Sequence, residues 1–151
     1  MRTLFDTSVL VAAIVEPHPM HLRALPWLQR AKSGKIDFLV VTHTLAELYA
    51  VLTTLPLKPR ISPSTAWRLV HDNVETSAKI VSLSPSDYKD TVKHMSELGL
   101  TGGSIYDALV VKAAQKSDVE RLLTFNADDF IRVWPGGESF ICIPQGSGLH
   151  S

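Results

Sequence analysis

Four segments of this 151-residue chain put a carboxylate or an amide where a helix is expected to begin. They carry Asp6, Glu47, Asp107 and the group Asn126, Asp128 and Asp129. Each follows a short apolar run or a glycine pair, which reads as a strand or loop feeding a helix. Acids at helix starts have an ordinary structural use. Asp6 before Thr7 and Ser8 reads as an N-cap, Thr44-x-x-Glu47 as a capping box, and Ser104-x-x-Asp107 as a second box. They also have a chemical use. Carboxylates gathered within a few ångströms cannot all stay ionised without a counter-charge. A hard divalent cation, Mg²⁺ or Mn²⁺, answers that need with oxygen ligands, and Mg²⁺ keeps several of its waters. Such an ion suits phosphodiester hydrolysis, because it lowers the pKa of bound water and stabilises charge on the leaving oxygen. Thr7, Ser8 and Thr124 add hydroxyls able to orient water or phosphate. Local capping is an equally good use for Ser8.

Whether the acids meet depends on the elements that carry them. Residues 3–5, 38–41, 79–83, 121–124 and 140–143 are short apolar strand candidates. Their lack of alternation suits strands buried on both faces. Helices are expected between them. One spans 20–33, with Leu22, Leu25 and Leu28 as its apolar face, Trp27 beside it and Gly34 as its stop. Another opens at Ser62-Pro63 and a third at Ser84-Pro85, each a cap followed by proline at the first helical position. The third presents Tyr88, Val92, Met95 and Leu98 on one face and stops at Gly99. The helix after Asp107 is rich in Ala and Val and is expected to be central. Strands alternating with helices through long connections give an α/β fold with a parallel sheet covered on both faces. In such a sheet all carboxyl ends lie on one edge, where ligands bind. Asp6, Glu47 and Asp107 are then expected to converge there.

Composition narrows the classes. The size fits a single domain, expected over residues 1–144, with a flexible tail at 145–151. With 45% hydrophobic and 20% charged residues the chain reads as a globular protein. The formal net charge is zero, so no global field favours nucleic acid or membrane. Arg23, Arg30, Lys58 and Arg60 are the candidates for a local basic rim. The single cysteine, Cys142, lies in an apolar run and reads as a core residue. One cysteine forms no disulfide within the chain, which fits a reducing compartment. Asp6 interrupts the apolar start, and residues 9–15 are too few to span a bilayer. A cytoplasmic protein without a membrane partner is the expectation.

Competing chemistries lack their residues. There is no Gly-x-x-x-x-Gly-Lys phosphate loop, no dinucleotide fingerprint and no Gly-x-Ser-x-Gly elbow. His18 and His21 have no second ligand pair to complete a zinc site.

The stretches Leu4-Phe5-Asp6-Thr7-Ser8, the lone Glu47 after Val-Val-Thr, Tyr106-Asp107-Ala108-Leu109 and Leu123-Thr124-x-Asn126-x-x-Asp129-Phe130 together resemble the PIN-domain ribonucleases. Within that family they look like the compact VapC-type toxins, over residues 1–143. The resemblance implies a three-layer α/β/α sandwich with a parallel five-stranded sheet. It implies Mg²⁺- or Mn²⁺-dependent endoribonuclease activity, with Asp6, Glu47 and Asp107 as the acidic, metal-holding positions. A fourth position, often Asp in the family, is Asn126 here; it ligates through a carbonyl and adds no negative charge. Asp129 or Asp128 is placed to compensate from the next turn. RNA as substrate, a cognate antitoxin protein and a homodimer follow from the same resemblance. The alternative reading is a PIN-like dimerising module that has lost catalysis. A third keeps the metal but acts on DNA or on phosphate esters.

Overall fold

A computed structural model describes residues 1–146; the end of the expected tail, 147–151, lies outside the described residues. Five strands form one sheet: β1 (Arg2–Phe5), β2 (Asp37–Val41), β3 (Lys79–Val81), β4 (Arg121–Leu123) and β5 (Ile141–Cys142). Their order is β3-β2-β1-β4-β5 and every pairing is parallel. β3, β4 and β5 are shorter than the apolar runs that announced them. Thr124 leaves the strand, and its hydroxyl serves the site described below.

Alternate strand residues feed opposite cores, as the pleat requires. Phe5, Phe38, Val40 and Leu123 join one apolar cluster. Leu4, Leu39, Val41 and Leu122 join the other. The first is covered by α1 (Thr7–Ile14), α2 (His21–Lys32), α3 (Thr42–Thr54) and α4 (Pro63–Val70), which a π turn at His71–Glu75 extends. The second is covered by α5 (Pro85–Leu98), α6 (Ser104–Lys116) and α7 (Ala127–Val133). The result is the expected three-layer sandwich.

Two expected helix faces are corrected. In α2 the buried side is Ala24, Trp27, Leu28 and Ala31, whereas Leu22 is 82% exposed. In α5 the buried residues are Thr91 and Met95, with Tyr88 and Val92 exposed. Thr91 fits inside because its hydroxyl donates to the Asp87 carbonyl at 2.8 Å. Gly99 ends α5 as expected, in the left-handed conformation at φ 71° that glycine adopts without strain. Cys142 is half-buried on the edge strand rather than deep in the core.

The sheet order reverses between β1 and β4. From β1 the chain runs outward to β2 and β3, then crosses back to β4 and β5 on the other side. The crevice outside the carboxyl ends of β1 and β4 is therefore where such a fold places a ligand. Asp6 follows β1 directly, and Thr124 follows β4 directly.

Candidate active site at the carboxyl edge of the sheet

Asp6, Glu47 and Asp107 open into one cavity of about 460 Å³. Thr7, Ser8 and Asn126 share its wall, together with Val11, His18, Met20, Val51, Leu55 and Phe125. Residues from four separated segments thus meet at the edge that a parallel sheet dictates.

None of the three acids caps its helix. Asp6 occupies the N-cap position of α1, but its side chain makes no capping hydrogen bond. α3 begins at Thr42, directly after Val41, so the expected Thr44–Glu47 box does not form. Thr44 is buried in the first turn and Glu47 lies beyond it, on the cavity side. α6 begins at Ser104 with Gly103 before it, so the Ser104–Asp107 box does not form either. Two helices away from the cavity, α4 and α5, are capped by side chains. Ser62 accepts from the Thr65 amide at 3.2 Å. Ser84 and Asp87 make a complete reciprocal box at 3.1 and 2.8 Å.

The Asp6 carboxylate is fixed instead by hydroxyls. Ser8 Oγ donates to Oδ2 at 2.7 Å and Thr124 Oγ1 donates to the same oxygen at 2.8 Å. Both hydroxyls are themselves held: Ser8 Oγ accepts the Phe125 amide at 3.1 Å, and Thr124 Oγ1 accepts the Asn126 amide at 2.9 Å. Both side-chain bonds fall on Oδ2, so neither consumes Oδ1. Thr7 borders the cavity, and its Oγ1 is buried with no hydrogen-bond partner in the protein.

The electrostatics are those of crowded anions. Burial pushes the Asp6 carboxyl above the usual range; Ser8 and Thr124 pull it back, and the Glu47 charge pushes it up. Asp107 is pushed up to about 6, first by burial and then by Asp6, Asp129 and Glu47. Among the described residues the ion pairs are His71–Glu75, Lys112–Asp90, Lys116–Asp87 and Arg132–Asp129, none of which involves the cavity acids. The three carboxylates share the space without closing on one point. Among the described residues, no three His, Cys, Asp or Glu side chains have the spacing of a formed metal site.

The remaining nominated residues divide. Asn126 is exposed at the start of α7 and borders both this cavity and a neighbouring depression. Asp128 and Asp129 line only the neighbour, and Asp129 pairs with Arg132 at 3.1 Å. Asp129 therefore reaches Asp107 by its field and not by sharing the cavity. Arg23 stands at the rim: its guanidinium lies 5.3 Å from the Phe125 ring centre and donates to the Pro144 carbonyl at 2.8 Å. Arg30 does not. It lies over Trp27 at 4.2 Å, near Arg121 at the start of β4, which places it at the opposite edge of the sheet. Lys58 and Arg60 flank a separate shallow depression after α3. His18 and His21, which lacked a second ligand pair in the sequence, also part in the fold: His21 Nδ1 bonds the Ala12 carbonyl at 2.8 Å. His18 alone borders the cavity, its Nδ1 accepting the Met20 amide at 3.0 Å. The apolar walls from Val11, Val51 and Leu55 were not foreseen as lining; in sequence they are indistinguishable from core.

Comparison with known proteins agrees with this geometry. The PIN domain family model matches residues 3–134. The chain is 33% identical over 115 residues to ribonuclease VapC27 of Mycobacterium tuberculosis, covering 76% of this chain and 78% of that one. It is 34% identical over 117 residues to ribonuclease VapC40 of the same species, covering 78% and 81%. Among solved structures, M. tuberculosis VapC20, described as a toxin that cleaves the sarcin–ricin loop, superposes with a TM-score of 0.65 at 15% identity over 84% of this chain and 92% of that one. VapBC2 of Rickettsia felis, solved on a DNA fragment from its promoter, gives 0.65 at 18% identity over 96% and 100%. FitAB, also solved on DNA, gives 0.64 at 14% over 99% of each. The sandwich, its strand order and the sequence matches together establish that the chain belongs to the PIN-domain family, within its VapC-type branch.

Proposed function

We propose that this protein is a metal-dependent endoribonuclease, the toxin of a toxin–antitoxin pair. One observation carries the proposal: Asp6, Glu47 and Asp107 enter a single cavity, with no capping role and no basic partner among the described residues. Acids used as helix caps would be spent on backbone amides. These are without a basic partner, half or more buried, and mutually repelling.

The donor set fits a hard divalent cation. It is all oxygen, rich in carboxylate, and short of positive charge. Asp6, Glu47 and Asp107 would hold Mg²⁺ or Mn²⁺. Such an ion supplies a more acidic bound water and charge stabilisation on the leaving oxygen. The chain's own groups do the positioning. Ser8 and Thr124 hold the Asp6 carboxylate in one orientation across β1 and β4. Thr7 borders the same cavity, with its Oγ1 buried and without a protein partner. Arg23 offers positive charge to the RNA backbone at the rim. Asn126 adds a neutral amide where an acid would have added repulsion.

The partner side follows the relatives. VapBC2 and FitAB are named as complexes on DNA, which supports a small cognate antitoxin for this chain. Exposed apolar side chains, Leu22 at 82%, Trp67 at 57% and Val92 at 56%, supply surface for that partner or for a homodimer. Among the described residues no helix is long and apolar enough to cross a membrane.

The test is cleavage of RNA by the purified protein with Mg²⁺ or Mn²⁺ against a chelator control, repeated for Asp6→Asn and Asp107→Asn. Metal-dependent cleavage lost in both variants supports the reading. Undiminished cleavage by either variant rejects the assignment of the site. A second reading, a dimerising module without catalysis, draws on Asn126. It expects no heat on titration with Mn²⁺ and no cleavage by the unmodified chain.

A further inference from the structure

His43 and Tyr106 stack face to face, with ring centres 5.2 Å apart and planes 8° from parallel. His43 stands in the first turn of α3 and Tyr106 in the first turn of α6. Each therefore stands beside a cavity acid. His43 is one helical turn before Glu47 on the same face of α3, and Tyr106 immediately precedes Asp107. The two rings join the helix starts that carry those acids, outside the cavity that the acids enter. Tyr106 remains 51% exposed despite the stack.

We propose that the His43–Tyr106 pair is a stacking platform for an unpaired base of the RNA, the base next to the phosphate that enters the cavity. The proposal rests on the ribonuclease reading above. Charge is its first support. The chain has a formal net charge of zero, and of the four nominated cations only Arg23 stands at the cavity. Affinity from phosphate neutralisation and counterion release needs several Lys or Arg contacts. A π face binds a base without charge and tolerates any sequence. Placement is the second support. The RNA runs on to either side of a phosphate held among the acids, and these rings stand beside two of the three acids, outside the cavity. The substrate class follows: single-stranded RNA or an open loop, since a base stacked in a duplex has no free face.

The competing role for the pair is a clamp that only ties α3 to α6. The two are separated by binding measurements on the Asp6→Asn protein, which holds RNA without consuming it. The probe is a single-stranded oligoribonucleotide with 2-aminopurine placed at each position in turn, beside the same oligonucleotide with an abasic residue there. Quenching at one position is expected, and Tyr106→Leu should weaken binding about 5- to 150-fold, the range of one lost base stack. Tyr106→Phe should restore both signals. The abasic oligonucleotide should bind all three proteins alike, and salt should weaken binding only shallowly. Binding of the base-bearing probe unchanged by Tyr106→Leu would overturn the platform. If that variant does not fold, the scan on the Asp6→Asn protein decides, and quenching at no position overturns it. Cleavage of RNA by the unmodified chain with no quenching anywhere removes the platform alone. Absence of metal-dependent cleavage removes the ribonuclease reading whatever the scan shows.

Discussion

Thr124 Oγ1 donates to Asp6 Oδ2 at 2.8 Å across the place where the strand order reverses. One hydroxyl thereby couples the ends of β1 and β4. It also accepts the Asn126 amide, so the start of α7 is registered to the same carboxylate. Asp6 is 6% exposed, and a buried carboxylate in that setting depends on its donors to remain charged. The hydroxyl pair at Oδ2 accordingly opposes the upward push of burial on the Asp6 carboxyl.

Thr124→Val tests this with little change in volume. It removes a hydrogen bond to a charged group, worth about 1.5–3 kcal/mol, and leaves the Asn126 amide without its acceptor. The expectation is a roughly 10- to 100-fold fall in kcat and a lower Tm. The acid limb of the cleavage profile should move to higher pH, because Asp6 loses a bond that lowers its pKa. Ser8→Ala should act in the same direction, and the two changes should be non-additive, since both bonds share one oxygen. Additive effects with an unmoved acid limb would contradict a shared role at Oδ2.

The sandwich was legible because apolar runs of strand length alternate with helical segments, and parallel connection then fixes which edge collects the carboxyl ends. Asp6, Glu47 and Asp107 were found by that logic together with the family resemblance. Their freedom from capping was not. Thr44-x-x-Glu47 and Ser104-x-x-Asp107 have the same spacing as true boxes, and Ser84-x-x-Asp87 is one. The difference is where each helix starts: α3 directly at Thr42 and α6 at Ser104 itself. A shift of one or two residues at a helix start is beyond what pattern resolves. Arg30 was misplaced for a related reason. Its charge is visible in sequence, but which end of α2 reaches which edge of the sheet is decided by packing over Trp27. Asp129 was nominated within the family resemblance, as an acid one turn on from Asn126; it pairs with Arg132 in α7 and lines the neighbouring depression.

Asp107 makes stability depend on pH in the metal-free protein. Its carboxyl is pushed up to about 6 from 3.8, chiefly by burial. Between those values the folded state holds more protons than the unfolded state, so stability falls as pH rises from about 4 to about 6. Asp107→Asn removes the charge. In chelator it should be more stable than the unmodified protein at pH 7, by about 1 kcal/mol after solvent screening of a half-buried group. The gap should close toward pH 4. Urea unfolding across that range measures it; a difference independent of pH would show that the Asp107 charge is not the cause.

Asp87 behaves in the opposite sense, away from the cavity. Lys116 donates to its Oδ2 at 2.8 Å and the Ser84 amide donates to the same oxygen. These bonds, that from Lys116 first, hold the carboxyl down to about 2. A depressed pKa contributes stability above the unfolded value, and that contribution is lost as pH falls from about 4 through about 2. Asp87→Asn should lower stability at neutral pH, converge with the unmodified protein near pH 2, and leave metal-dependent cleavage unaltered. Loss of cleavage in this variant would mean that α5 supports the site in some way its distance from the cavity does not explain.

Metal binding can be read without any substrate. A ligand that binds only the folded state at a hundred times its Kd adds about 2.7 kcal/mol. For a chain of this length that corresponds to a rise in Tm of roughly 5–10 °C. Mn²⁺ added to chelator-treated protein should produce such a rise, and Mg²⁺ a similar one at higher concentration. The same addition should abolish the fall in stability between about pH 4 and 6, because a cation among Asp6, Glu47 and Asp107 favours their charged forms. Asp6→Asn and Asp107→Asn should each flatten the response, whereas Asp129→Asn should weaken it only slightly, since Asp129 stands outside the cavity and is paired with Arg132. An unchanged Tm in Mn²⁺, with the acid-range slope intact, would leave the three carboxylates as repelling neighbours without a cation, which is the arrangement a non-catalytic binding module would have.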